Sequence, residues 1–144
     1  MITPAITQAA KEMLIDYLGG KTGLSKTALI GEMPFEIVAI SRQARYMGTV
    51  LYTNLRCNSL EMACAGEPGW LTRADVAALF AYPFIQLDLS SVLSHVERSN
   101  SKSRNLAARL GFREVGVLFD EYGHGRDGII YQMQRSKCRW LGSK

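Results

Sequence analysis

Cysteine is scarce in this chain: Cys57, Cys64 and Cys138 are the only three among 144 residues, an odd number with no CxxC spacing. A disulfide framework is not expected, and the thiols read as free in a reducing compartment. Histidine is scarcer still, with only His95 and His124, so no Cys/His set at zinc spacing assembles and no metal is expected. No stretch approaches the roughly 18 to 20 consecutive apolar residues that a membrane span requires. Lys11, Glu12 and Asp16 interrupt the N-terminal segment where a signal peptide would need an apolar run. These absences predict a cytoplasmic chain with no membrane partner. Repeats and low-complexity tracts are also missing. What is present, 47% hydrophobic and 21% charged residues, fits one globular domain over residues 1–144 that buries its own core.

Neither sign of charge dominates. The net charge of +4 mildly suits anionic partners such as phosphates, nucleic acid or an acidic protein face without choosing among them. The basic residues gather after the middle, at Arg98, Lys102, Arg104, Arg109 and Arg113, and again at Arg135, Lys137, Arg139 and Lys144. A solvated helix face with a polar tail and an anion-binding surface account for them equally well.

Hydrophobic spacing predicts an amphipathic helix over 7–18, carrying Ala10, Met13, Leu14, Tyr17 and Leu18 and stopped by Gly19-Gly20. Segments 35–41 and 46–53 predict two antiparallel strands, and 60–65 a third that ends at Gly66-Glu67-Pro68-Gly69. The longest helical signal is 73–87, with Val76, Leu79, Phe80, Phe84 and Leu87 along one stripe. Thr72 and Asp75 are spaced for a capping box, and Pro83 should kink the helix. A strand over 91–97, a helix over 101–110 stopped by Gly111, and strands over 112–119 and 129–134 complete the order. This order implies a mixed α/β (α+β) sheet covered by helices. The unit 60–97 is a right-handed crossover that sets two parallel strands side by side, with the N-terminus of the 73–87 helix and a ligand cleft at their carboxyl ends.

Asn100-Ser101-Lys102-Ser103, then Leu106, then Arg109-Leu110-Gly111-Phe112 resembles the GNAT acetyltransferase signature N-x-x-S-x-x-L-x-x-x-L-G-F. The serine variant is most similar to the branch of ribosomal-protein N-terminal acetyltransferases. So are Ala78-Leu79-Phe80-Ala81-Tyr82-Pro83-Phe84 and Glu114-Val115-Gly116-Val117-Leu118 followed by Asp127 and Tyr131. Cys138-Arg139-Trp140-Leu141 resembles the ending of short GNAT proteins, some of them phage-borne. The resemblance spans about 35–141. It implies a mostly antiparallel mixed sheet with a central parallel pair, acetyl-CoA as cofactor, and acetyl transfer to a primary amine on a protein N-terminus, a lysine or a small molecule. One departure stands out: the family's pyrophosphate loop reads Q/R-x-x-G-x-G/A, whereas this chain has Gly66-Glu67-Pro68-Gly69-Trp70-Leu71-Thr72-Arg73. Backbone N–H groups and a helix N-terminus still suit an anion there, with Gly69 allowing close approach, Arg73 attracting it and Asp75 opposing it.

Acetyl transfer needs a neutral amine and a stabilised departing thiolate, hence a proton acceptor and a donor. The resemblance carries the donor role onto Ser103, whose hydroxyl can bond the developing thiolate. The tyrosine that many relatives place further along this helix is replaced by Ala107. Candidates for the base are His95, Glu97 and Glu61. His95 alone has an ordinary pKa near neutrality, about 6.5, and water could also carry the proton. Asn100 would hold the pantetheine arm and also reads as a plain helix cap. Ala63 and Ala65 would offer backbone groups to the pantetheine amides, and Gly69, Trp70, Leu71, Thr72 and Arg73 would meet the pyrophosphate. Cys64 reads as a small apolar filler rather than an acyl carrier, and His124 as exposed. The competing reading is a catalytically inactive GNAT-fold regulator that binds protein or nucleic acid through the basic face of Arg98, Lys102 and Arg104.

Overall fold

The computed structural model describes residues 1–5, 7–31 and 34–142, so Lys144 lies outside the described residues. Strand β1 (Ile2–Pro4), too short to show periodicity, pairs antiparallel with β2. Helix α1 (Gln8–Thr22) is capped by Thr7, whose side chain accepts from the Ala10 amide. It does not stop at Gly19-Gly20 as the glycines suggest. It ends at Gly23, which adopts the left-handed conformation (φ 74°) that favours glycine. Gly19 serves a close approach instead, because a Cβ there would lie 2.8 Å from the Leu24 carbonyl oxygen. A short helix, α2 (Lys26–Ile30), follows in what reads as a polar connector, and buries Leu29 and Ile30.

Strands β2 (Phe35–Arg42), β3 (Arg45–Thr53) and β4 (Ser59–Gly66) form an antiparallel meander. Helix α3 (Arg73–Ala81) starts with both halves of the Thr72–Asp75 capping box in place. The 73–87 signal does not continue as a kinked α-helix: Pro83 lies in a π-helical turn, Tyr82–Gln86, where the Leu87 amide reaches the Tyr82 carbonyl at 3.1 Å. The wider turn accommodates a residue with no amide to give. Strand β5 (Ser91–Glu97), helix α4 (Ser101–Leu110), and strands β6 (Arg113–Leu118) and β7 (Gly128–Gln134) follow, then 3₁₀ turns Arg135–Lys137 and Arg139–Leu141.

The strands form one sheet in the order β1-β2-β3-β4-β5-β7-β6, in which only the β4–β5 pair is parallel. This is the mixed, mostly antiparallel sheet expected. Strand alternation divides the apolar residues between its faces. Val50, Leu60, Met62, Val92 and Val96 pack with Leu79, Phe80, Phe84 and Leu110 of the α3–α4 layer. Ile37 and Leu51 pack with Leu14, Ile15, Leu18 and Ile30 of the α1–α2 layer. Among the described residues no helix is long and apolar enough to cross a membrane. The functional consequence lies in the parallel pair, whose register ends at Glu61↔Leu93. Beyond it the strands separate, and the β5-side backbone groups of β4 lose their strand partner.

Candidate active site

The separation of β4 and β5 opens a cleft whose sections run into one another. Its inner section is lined by Met62, Ala63 and Cys64, by Ser94–Glu97 on β5, by Asn100 and Ser103 on α4, and by Tyr122. The middle shares Cys64, Asn100 and Ser103 and adds Ala65, Gly66, Lys102 and, from the end of α1, Lys21. The outer section adds Leu71, Thr72, Arg73 and Trp140 and shares Gly69 and Arg109 with the middle.

Helix α4 sets up the middle. Asn100 is its N-cap, with Oδ1 accepting from the Ser103 amide at 3.1 Å, so the side-chain NH₂ is left over. The Ser103 hydroxyl makes no hydrogen bond among the described residues and lines both neighbouring sections. Capping and cleft-lining are thus compatible in one motif. Ala63 and Ala65 stand on the part of β4 that has lost its β5 partner. Burial pushes the Cys64 thiol up to about 12, which leaves it a poor nucleophile.

At the outer end the loop is shaped by Trp70. Its indole lies on Gly48 and Gly66, where a Cβ at either would come within 2.3 Å of the ring. Trp70 is therefore core beneath the loop, and what it presents is backbone: its carbonyl accepts from Arg42 at 2.7 and 2.6 Å. Arg42 also pairs with Asp75 at 2.5 Å. Burial works against the Asp75 carboxylate, but its bonds to Thr72 and the Arg42 charge outweigh that and hold its pKa low. Asp75 is thus neutralised rather than aimed at an incoming anion. Gly69 has φ 75° and open space around its Cβ position, so conformation rather than room calls for glycine. The capping box uses the amides of Thr72 and Asp75 and leaves those of Arg73 and Ala74 at the open helix end. Glu67 is held by Lys21 at 2.6 Å and by the Tyr17 hydroxyl at 2.8 Å.

Beside the inner end, His95 lies between two carboxylates, with Nε2 3.0 Å from Glu61 Oε1 and Nδ1 2.5 Å from Glu121 Oε2. The bond to Glu61 raises its pKa most; burial opposes and Glu121 adds, bringing it to about 9. At neutral pH it is an imidazolium whose two N–H groups are both engaged. The ordinary value near 6.5 expected for a strand histidine does not apply. Glu61 is held low by His95, against its burial, and also accepts from Asn54. Glu97 does not join His95: Arg126 binds both its oxygens, at 2.8 and 2.7 Å, and lowers its pKa. The spacing of β5 carries no signal for Glu121 or Tyr122, which come from the loop between β6 and β7. Burial raises the Tyr122 pKa, so it stays protonated.

The basic residues of α4 do not form one face. Arg104 is turned to the Tyr131 hydroxyl at 3.1 Å and to the Arg98 carbonyl, whereas Lys102 lines the cleft. His124 is exposed.

No family model and no curated protein sequence matches the chain. Solved structures do. The spermidine N-acetyltransferase of Vibrio cholerae in complex with CoA and spermine superposes over 98% of this chain and 98% of its own, with 17% identity and a TM-score of 0.71. A structure assigned to the GNAT acetyltransferase family from Desulfovibrio desulfuricans covers 93% and 98%, with 16% identity and a TM-score of 0.69. A GNAT-family acetyltransferase from Bacillus anthracis covers 71% and 66%, with 15% identity and a TM-score of 0.58. The chain has the GNAT acetyltransferase fold. These neighbours are spermidine enzymes and general members of the superfamily, not the ribosomal-protein or phage-borne proteins that the motif spacing resembles.

Proposed function

We propose that the chain is an acetyl-CoA-dependent N-acetyltransferase whose acceptor is a small cationic amine. The observation that carries this reading is the splayed β4–β5 pair with the uncommitted Ser103 hydroxyl and Asn100 amide at its mouth. Ala63 and Ala65 bond the pantetheine arm through their backbone, Asn100 bonds it from the other side, and the uncommitted Arg73 and Ala74 amides at the start of α3, beside Gly69, face the pyrophosphate. Acetyl-CoA supplies the activated acyl group; Ser103 donates a hydrogen bond to the thiolate as it leaves.

The acceptor enters from the side of Glu61, His95 and Glu121. With His95 protonated, two carboxylates and one imidazolium leave one net negative charge, which attracts an ammonium group. His95 then acts as a positioning residue rather than a base. Glu61 and Glu97 are held low by their partners, so each is a weak proton acceptor, and water takes the amine's proton. The acidic inner end, together with a structural neighbour that holds spermine, favours a small polyamine-like acceptor over a protein N-terminus.

The test follows CoA release over a panel of polyamines, lysine derivatives and peptides. Loss of one donor at a developing anion costs roughly 2.7–4 kcal/mol, and less where the charge is spread over sulfur. Ser103→Ala should lower kcat by about tenfold to a few hundredfold with the acetyl-CoA KM nearly unchanged. Wild-type activity in that variant removes Ser103 from the mechanism. A wild type that releases CoA with no acceptor removes the enzyme reading.

A further inference from the structure

We propose that Arg109 and Trp140 form a subsite for the 3′-phosphoadenosine end of the cofactor; this rests on the acetyl-CoA reading above. Positive charge along the middle and outer cleft is unbalanced. Arg73, Lys102 and Arg109 make no ion pair among the described residues. All three line the middle or outer cleft. The nearby carboxylates cannot balance them, because Glu67 is taken by Lys21 and Asp75 by Arg42. Neighbouring cations without counter-charge repel one another, and a polyanion relieves that repulsion.

An acyl-CoA distributes its charge in the matching way. The acyl and pantetheine parts are uncharged and suit the inner and middle sections, while the pyrophosphate and the 3′-phosphate put every negative charge at the nucleotide end. The pyrophosphate takes the α3 N-terminus and Arg73. The 3′-phosphate then falls to Arg109, in the last turn of α4, which borders both the middle and the outer section.

Trp140 supplies the remaining surface. Its indole N–H donates to the Leu110 carbonyl at 2.7 Å, which fixes the ring across the end of α4. The Arg139 guanidinium lies 4.5 Å from the ring centroid and that of Arg73 5.8 Å. Arg139 in turn donates to the Arg109 carbonyl, so the closing 3₁₀ turn and the arginine-bearing turn of α4 are tied together. A fixed, partly exposed indole ringed by cations suits a purine that carries phosphate.

Calorimetric titration with CoA and with dephospho-CoA, which lacks only the 3′-phosphate, isolates the subsite. Wild type should bind CoA about tenfold to a hundredfold more tightly than dephospho-CoA, the range of a charge-assisted bond. Arg109→Ala should bind both equally, near the wild-type dephospho-CoA value, while Arg113→Ala, the same charge change on β6, should keep the wild-type ratio. Trp140→Leu should weaken both ligands by a similar factor. An unchanged ratio in Arg109→Ala, in a protein whose circular dichroism matches wild type, overturns the subsite. So does a wild type that binds CoA and dephospho-CoA equally, which leaves the acetyl-CoA reading standing. A wild type that binds neither ligand removes both.

Discussion

Two charge-assisted hydrogen bonds hold the His95 imidazolium, one to Glu61 and one to Glu121, and they tie folding to protonation. The pKa rises from 6.5 to about 9 on folding. A raised pKa contributes stability that is fully present below about 6.5 and is lost as pH rises through about 9. Urea denaturation of wild type should therefore show a midpoint that declines across that window, and His95→Gln should flatten the decline. A wild-type midpoint flat from pH 6 to about 9.5 would contradict the ion triplet. At this scale the sequence reveals types of group better than partners. His95, Glu61 and Glu97 are legible as titratable residues on strands, because alternation places them. Their pairing is not: Glu121 reaches His95 only through the β5–β7 register, in which His95 lies opposite Ile130, and Glu97 is claimed by Arg126 from the same loop. A loop without periodicity offers no spacing from which to infer either contact.

Among the elements, the segment from β4 through the loop into α3 was largely legible, since Thr72 and Asp75 satisfy orphaned amides by local chemistry alone. What escaped the pattern is glycine's double use. Gly19 and Gly20 look like a terminator but lie inside α1, while Gly48 looks like an ordinary strand residue but leaves room for a neighbour. At Gly48 a Cβ would sit 2.3 Å from the Trp70 ring and 2.9 Å from Gly66 Cα. That second contact is backbone and cannot rotate away. Gly48→Ala should therefore destabilise the fold by about 1–3 kcal/mol, the usual cost of overpacking. At Gly20 an added Cβ meets nothing within 4 Å, so Gly20→Ala should stabilise the helix by roughly 0.5–1 kcal/mol. Opposite signs in chemical denaturation check both assignments, and equal effects would refute them. The Pro83 π turn escaped for another reason: proline declares a lost hydrogen bond but not whether a kink or a wider turn accommodates it.

Across the whole molecule, the mixed sheet with its parallel pair followed from the order of element types, and the cleft from that pair, whereas β1 and the place of β7 between β5 and β6 left no signal in the spacing. The distribution of charge along that cleft did not follow, because it depends on which carboxylates are already taken. Lys21, near the end of α1, reaches across to Glu67 in the loop before α3, so the two layers of the fold meet at the middle of the cleft. While Glu67 holds it, Lys21 contributes little field to an anion there. Glu67→Gln removes the competing charge and leaves a polar side chain that can still accept from the Tyr17 hydroxyl. CoA should then bind several-fold more tightly at low ionic strength. Screening shortens from about 10 Å at 0.1 M salt to about 3 Å at 1 M, so the gain should shrink toward nothing in concentrated salt. Dephospho-CoA, which keeps the pyrophosphate, should gain by a similar factor if Lys21 acts on the pyrophosphate rather than on the 3′-phosphate. Calorimetry on both ligands at the two salt concentrations measures this directly. An affinity unchanged by Glu67→Gln, or a gain that persists at high salt, would mean that Lys21 serves only to fasten α1 to the loop.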